Sequence, residues 1–196
     1  MKRLVLATGN AGKLAELARM LEGAGIEVLS QRALGIEPVA ETGLTFVENA
    51  LIKARHVAEQ SGLPAVADDS GLAVAALDGA PGLYSARYAG EPCDDAANNR
   101  RLLAELASCT AQEREATFHC VMVYLRHPLD PAPLISHGRW HGRITERPRG
   151  EHGFGYDPLF EDRELGLTAA QLSAAEKDAR SHRGQALRAL VSELCR

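Results

Sequence analysis

The sequence predicts an α/β protein built on a mixed sheet. Three observations carry that prediction: a strand–helix–strand opening, alternating helical and extended periodicities along the rest of the chain, and two long extended runs joined by a short Pro-containing turn. A strand–helix–strand unit favours parallel pairing, and a short connection between long strands favours antiparallel pairing, so one sheet holding both is mixed.

Arg3-Leu4-Val5-Leu6-Ala7 reads as a short buried strand. Leu14, Leu17, Ala18 and Leu21 recur at helical spacing over residues 12–23, with Gly23 and Gly25 as stop signals, and Ile26 to Leu29 is a second strand. Thr45-Phe46-Val47-Glu48 matches a capping box, in which Thr45 and Glu48 satisfy free N–H groups at a helix start. Val47, Ala50, Leu51, Ala54, Val57 and Ala58 form the apolar stripe of that helix, with Asn49, Lys53 and His56 on the other side and an end near Gly62. Pro64 opens an apolar strand that runs into Asp68-Asp69-Ser70-Gly71, where Ser-Gly signals a turn. Leu72 to Leu77 is a further apolar run, and Asp94 to Ala107 reads as a helix. Thr117 to Leu125 and Leu134 to Ile144 are the two long strands, joined by HPLDPAP; Leu187, Leu190, Val191 and Leu194 mark a final amphipathic helix.

With 196 residues, the chain is long enough for one sizeable core or for two lobes sharing a sheet. A net charge of −4 argues against a nucleic-acid polymer as the main partner, while leaving room for a small anion held by local positive charge. Only five apolar residues precede Thr8, too few for a signal-peptide core, and no apolar run reaches membrane-spanning length. The cysteines (Cys93, Cys109, Cys120, Cys195) show no paired CxxC spacing, so reduced thiols in a cytosol are the simplest reading.

Several short stretches carry candidate chemistry. LATGNAGK, Leu6 to Lys13, is too short between Gly9 and Gly12 for a P-loop and lacks the Ser or Thr after the lysine. Positive φ at the glycines, free N–H groups at the following helix start and the Lys13 charge would cradle an anion; the alternative is a strand-to-helix turn with an exposed lysine. In ADDSG, adjacent carboxylates at the end of an apolar strand repel each other unless a cation compensates. Their hard oxygens suit Mg²⁺, which commonly bridges one or two carboxylates to substrate phosphates, and the apolarity of PAVA favours this over a turn whose acids cap backbone. Glu41, just before the capped helix, is another available carboxylate or a solvated loop residue; Lys53 lies on the polar face of that helix. FGYDP, Phe154 to Pro158, offers an aromatic, a flexible backbone and an acid, as a nucleobase platform would, or as a turn whose aromatics close the core. Ser181 is a candidate N-cap of the last helix, and an exposed basic first turn at His182 and Arg183 would oppose the helix dipole and favour use in binding. The basic stretch Arg139 to Arg149 reads as a solvated face, and His119-Cys120 as a core histidine and buried thiol.

Taken together, TxNxxKxxE (Thr8, Asn10, Lys13, Glu16), ADDSGL, GAPGLYSARYAG, FGYDPLF and EKxxxSHR, in this order, resemble the inosine/xanthosine triphosphate pyrophosphatase family, whose bacterial members clear non-standard purine nucleotides. The resemblance runs from Leu4 to about Leu190. It implies an ITPase-like α/β fold over residues 1–196: one elongated mixed sheet with flanking helices and two lobes around a central cleft, in a cytoplasmic homodimer. It implies that Thr8, Gly9, Asn10, Ala11, Gly12 and Lys13 wrap a purine nucleoside triphosphate, that Lys53 adds a phosphate contact and that Ser70 touches substrate. By the same resemblance Glu41 and Asp69 hold Mg²⁺ with Asp68 close by, and Asp69 is the general base. Phe154 would stack on the base with Gly155, Tyr156 and Asp157 completing the wall, and Lys177, His182 and Arg183 would face the purine edge. The implied reaction is hydrolysis to monophosphate and pyrophosphate. Two other readings stand beside it: a related pyrophosphatase for pyrimidine or modified nucleotides, and a nucleotide sensor without catalysis.

Overall fold

β1 (Lys2–Leu6) lies between β2 (Ile26–Ser30) and β3 (Ala65–Val74) and runs parallel to both, with Leu4 opposite Val28 and Leu6 opposite Val66. The structure is a computed structural model that describes residues 2–22 and 25–194; Gly23 and Cys195 lie outside the described residues. α1 (Ala11–Glu22) is the crossover from β1 to β2, and α2 (Phe46–Ser61) leads into β3, so the strand–helix–strand opening is present. β4 (Glu115–Leu125), β5 (Leu134–Ile144) and the short β6 (Phe160–Asp162) complete a six-stranded sheet in the order β2-β1-β3-β4-β5-β6. β6 is antiparallel to β5, with Gly142 opposite Asp162, which makes the sheet mixed. α3 (Asp95–Glu105), α4 (Ala174–Arg180) and α5 (His182–Leu194) are the remaining α-helices among the described residues.

Strand β3 corrects one expectation. The Ser70-Gly71 pair does not turn: the strand runs unbroken from Ala65 to Val74, with both aspartates in its interior. Buried Ala65, Val66 and Ala67 on one side and buried Leu72 and Val74 on the other hold the segment extended, and burial overrides the local turn preference. The sequence reading also misses β6 and α4, which are too short to show a period.

The chain divides into two compact units, one comprising Met1–Asp69, Cys120–Gly138 and Arg183–Arg196, the other Ser70–His119 and Arg139–His182. In the first unit the alternation of strand side chains sorts the core into two layers. Leu4, Leu6, Val66, Cys120 and Met122 pack with Leu17 and Leu21 of α1 and Leu187 and Leu190 of α5. Val5, Ala7, Ala65, Ala67 and Val121 pack with Ala50, Ala54, Val57 and Ala58 of α2. A fully buried leucine such as Leu17 contributes about 1.5–3 kcal/mol by leaving water. The second unit has its own core, where Phe118, Trp140, Tyr156 and Phe160 meet Leu72, Leu102 and Leu106. Among the described residues no helix is long and apolar enough to cross a membrane.

Candidate functional site

Strand parity places the two aspartates. Val66 belongs to the α1/α5 layer, so Asp68, two residues on, points the same way; Ala67 belongs to the α2 layer, and Asp69 follows it. Each meets a cation from the helix it faces. Lys13 of α1 lies with Nζ 3.0 Å from Asp68 Oδ2, and Lys53 of α2 with Nζ 3.1 Å from Asp69 Oδ1. Arg183, the second residue of α5, also approaches Asp68 (Nε to Oδ2 3.8 Å) and pairs with Glu16 of α1.

The loop before α2 brings in a third carboxylate. Thr45 Oγ1 accepts from the Glu48 amide at 3.3 Å, while the Glu48 carboxylate accepts from the Leu44 amide at 2.9 Å and from the Thr45 hydroxyl at 2.8 Å, so the expected cap forms with Leu44 as its backbone donor. Asn49 Oδ1 accepts from Gly43 N at 2.8 Å. A Cβ on Gly43 would stand 2.5 Å from Cβ of Glu48, so glycine permits this close approach of loop to helix. Two residues earlier, Glu41 Oε1 accepts from Lys53 Nζ at 2.9 Å. Beside Glu41 and Lys53 a cavity of about 60 Å³, lined also by Gly9, Gln31 and His56, is large and polar enough to hold water.

The two aspartates titrate in opposite directions. Asp68 is wholly buried, which on its own would raise its pKa, but Lys13, Arg183 and Lys53 together hold the carboxyl well below the usual range. For Asp69 the balance reverses: burial and the Glu41 charge outweigh Lys53 and Lys13, and its pKa is raised. Burial lowers the Lys53 pKa, but Asp69, Asp68 and Glu41 more than offset it and keep the ammonium charged. One acid is thus locked in its ionised form, and the other is biased toward accepting a proton.

Asn10 sits at the start of α1: its carbonyl accepts from Leu14 N at 2.9 Å and its Oδ1 from Lys13 N at 3.1 Å, the geometry of an N-cap. Thr8 Oγ1 accepts from Asn10 N at 3.2 Å. Neither Gly9 nor Gly12 has positive φ, contrary to expectation, because the helix has already begun at Ala11 and Gly12 lies in its first turn. Nothing lies within 4 Å of a Cβ placed on Gly9, so packing does not require glycine there. Ser70 follows Asp69 directly on β3.

In the second unit, FGYDP forms a turn fastened from several sides. Asp157 accepts from Phe154 N at 2.9 Å and from Lys177 Nζ at 2.5 Å, and that ammonium lies 4.9 Å from the centre of the Phe154 ring. Gly155 has φ +60°; its N–H donates to Asp95 at 2.7 Å and its carbonyl accepts from Asn99 at 2.9 Å. Tyr156 is buried, and its hydroxyl donates to the Ser85 carbonyl at 2.9 Å, so it holds the turn from the core side; burial, then the charges of Tyr88 and Asp95, push its pKa up. Gly153 is needed beside this turn: a Cβ there would meet the Asp157 carboxylate.

The residues expected at the start of the last helix are buried rather than exposed. His182 stacks on Phe118 with ring centres 4.6 Å apart and planes within 9°. Ser181 lies in extended conformation between α4 and α5. The structure therefore gathers Lys13, Lys53, Glu41, Asp68, Asp69 and Arg183 in the first unit, and Phe154, Gly155, Asp157 and Lys177 in the second. Asp95 and Asn99 were missed. Both lie on α3, and their i, i+4 spacing on one helix face is the only trace of that role in the sequence.

Among the described residues no three His, Cys, Asp or Glu side chains converge as a metal site. Two carboxylates do converge: Glu41 Oε1 and Asp69 Oδ1 both accept from one ammonium, Lys53 Nζ, at 2.9 and 3.1 Å. Two hard oxygens already arranged around one cation fit Mg²⁺, which takes one or two protein carboxylates and fills its shell with phosphate oxygens and water.

A family model described as the Ham1 family matches residues 4–193. A protein of Halorhodospira halophila, named dITP/XTP pyrophosphatase, is 72% identical over 189 residues, which cover 96% of this chain and 95% of that protein. One of Escherichia coli O157:H7 with the same name is 56% identical over 194 residues, covering 99% of this chain and 98% of the other. Among solved structures, a HAM1 protein from Coxiella burnetii aligns with a TM-score of 0.91 at 49% identity, covering 100% of this chain and 99% of that one.

Proposed function

The chain belongs to the Ham1 family, and from that membership we propose that it hydrolyses non-standard purine nucleoside triphosphates (dITP, ITP and XTP) to the monophosphate and pyrophosphate. The observation that carries the chemistry is the set Glu41–Lys53–Asp69, in which two carboxylates share one cation and one of them has a raised proton affinity. The relatives named dITP/XTP pyrophosphatase support the substrate class.

In this reading Asp69 takes the proton of a water that attacks the α-phosphorus. A bond forms from the water oxygen to that phosphorus, and the bond to the departing pyrophosphate breaks. Lys13 and Lys53 set positive charge against the phosphates. The Asn10 side chain, its oxygen already committed to capping α1, offers its Nδ2 hydrogens, and the first amides of α1 add donors that have no partner within the helix. Thr8 braces this turn, and Ser70 is the further substrate contact. Glu41 and Asp69 would hold Mg²⁺; bound there, the ion supplies charge that offsets the growing charge on pyrophosphate. Asp68, facing Lys13 and Arg183, fixes those two cations.

Phe154 offers its face to the purine, and Lys177, held by Asp157, a donor beside it. A 6-oxo group accepts from such donors, whereas the 6-amino group of adenine leaves them unpaired, a mismatch able to discriminate by about 10⁴-fold. Guanine shares the 6-oxo group, so its rejection falls on the 2-position. We further propose a cytoplasmic homodimer; sedimentation of the purified protein would report the dimer, and cell fractionation the location.

The test is pyrophosphate release from dITP with and without Mg²⁺, beside dATP, dGTP, dTTP and UTP. Mg²⁺-dependent release from dITP well above the others is expected. Preference for pyrimidines would sink the purine reading, and tight dITP binding without turnover would replace it with a sensor.

A further inference from the structure

The basic stretch Arg139 to Arg149 has no part in the chemistry above, yet its C-terminal half borders a second cavity. That cavity, in the second unit, measures about 260 Å³, and its charged lining is Arg114, Arg143, Arg147, Arg149, Glu146 and Glu161. Four arginines face two glutamates in a protein whose net charge is −4, so the positive surplus is local.

The arginines differ in how they are compensated. Glu161, buried, takes Arg143 through one oxygen (2.5 Å) and Arg149 through the other; its burial would raise its pKa, but the two arginines bring it below the ordinary value. That glutamate is thereby used up. Arg114 is only 6% exposed, and its guanidinium donates to three backbone carbonyls: Leu106 at 2.7 Å, and Cys109 and Thr145 at 3.4 Å. Among the described residues no carboxylate pairs with it, and none pairs with exposed Arg147. Neutral carbonyls orient a buried guanidinium without cancelling its charge, so the site lacks a counter-anion.

The backbone around the cavity is fixed in advance. Thr145 N donates to Leu159 O at 2.8 Å, Thr145 Oγ1 to Arg147 O at 2.9 Å, and Arg149 N to Pro158 O at 2.9 Å. Gly150 follows at φ +82°, and a Cβ there would run into the Ala170 backbone. We propose that this cavity binds a small phosphate-bearing anion, with Arg114 and Arg147 as its donors. Guanidinium forks match phosphate oxygens in pairs, and the volume is smaller than the 300–1,000 Å³ or so of sites for drug-sized ligands, which suits inorganic phosphate, pyrophosphate or the phosphate of a nucleoside monophosphate.

Calorimetric titration of the intact protein with inorganic phosphate, pyrophosphate and dIMP, at low ionic strength, tests this and separates the three sources by affinity. Each is run on wild type, Arg147→Ala, Arg114→Gln and Lys13→Ala, the last to remove a contact of the proposed active site. The expected result is one class of binding that survives Lys13→Ala and weakens at least tenfold in Arg147→Ala and Arg114→Gln, with the Arg114 Nε–H resonance of wild type moving as anion is added. Arg147→Ala should leave pyrophosphate release from dITP unchanged. Because Arg147 is exposed, its variant decides the matter even where Arg114→Gln unfolds: unchanged anion affinity in Arg147→Ala, or no binding beyond that lost in Lys13→Ala, overturns the proposal.

Discussion

Asp68 and Asp69 are neighbours in the chain and partners of different helices: Asp68 meets Lys13 of α1 at 3.0 Å, and Asp69 meets Lys53 of α2 at 3.1 Å. A continuous strand imposes this, since consecutive side chains point to opposite faces. It gives two chemically identical acids opposite electrostatic settings, and in the proposed reaction one is structural and the other the base.

The two asparagine variants should therefore fail in different assays. Asp69→Asn keeps the fold, because Glu41 still holds Lys53, but pyrophosphate release from dITP drops about 10²–10⁴-fold with loss of the base. Asp68→Asn takes the carboxylate from Lys13 and leaves buried Arg183 with Glu16 alone, and costs about 1–3 kcal/mol of stability. Chemical denaturation and steady-state assays run on both variants check the split; a stable, active Asp68→Asn would contradict it.

In the metal-free protein Asp69 should titrate above the ordinary aspartate range, because burial and the Glu41 charge raise its pKa. The Lys53 charge lowers that pKa, so Lys53→Met should move the titration to still higher pH. Carboxyl NMR of the two proteins without Mg²⁺ measures the displacement, and an unmoved titration would assign it to another group.

Asp68 makes the opposite contribution to stability. Its folded pKa lies below the unfolded value, so the stabilisation is fully present above the ordinary aspartate pKa and is lost as pH falls through and below it. The stability gap between wild type and Asp68→Asn should accordingly be widest near neutrality and narrow from about pH 5 downward. Urea melts at a series of pH values read this directly.

The proposed base wall should respond to the residues that fasten its turn. Gly153→Ala forces the Asp157 carboxylate away from Phe154 N and Lys177, and Asn99→Ala removes the donor to Gly155 O. Each disturbs about 1–3 kcal/mol of hydrogen bonding. The expected outcome is a rise in KM for dITP of about tenfold, with a smaller change in kcat; a change confined to kcat would place these residues elsewhere in the reaction.

Much of this was legible locally. The capping box at Thr45 and Glu48, the stripe of α2 and the strand–helix–strand opening each depend on residues within a turn or two of one another. That a polar residue would cap α1 and a lysine charge would stand at its start was readable in LATGNAGK, because capping and charge are properties of residue type. The Ser70-Gly71 signal misled for the same reason: it is a local preference, and the burial of Leu72 and Val74 outweighs it.

The sequence by itself determined the α/β class, the order of the larger elements and the kinds of side chain available to a site, because periodicity and capping act over a few residues. The tertiary structure decided which face each aspartate took, that Lys53 joined Glu41 to Asp69, that Arg183 was buried against Glu16 and Asp68, and that α3 fastened Gly155. Those outcomes depend on burial and on charges brought together from distant segments, and a charge in the low-dielectric interior is worth what its neighbours make it.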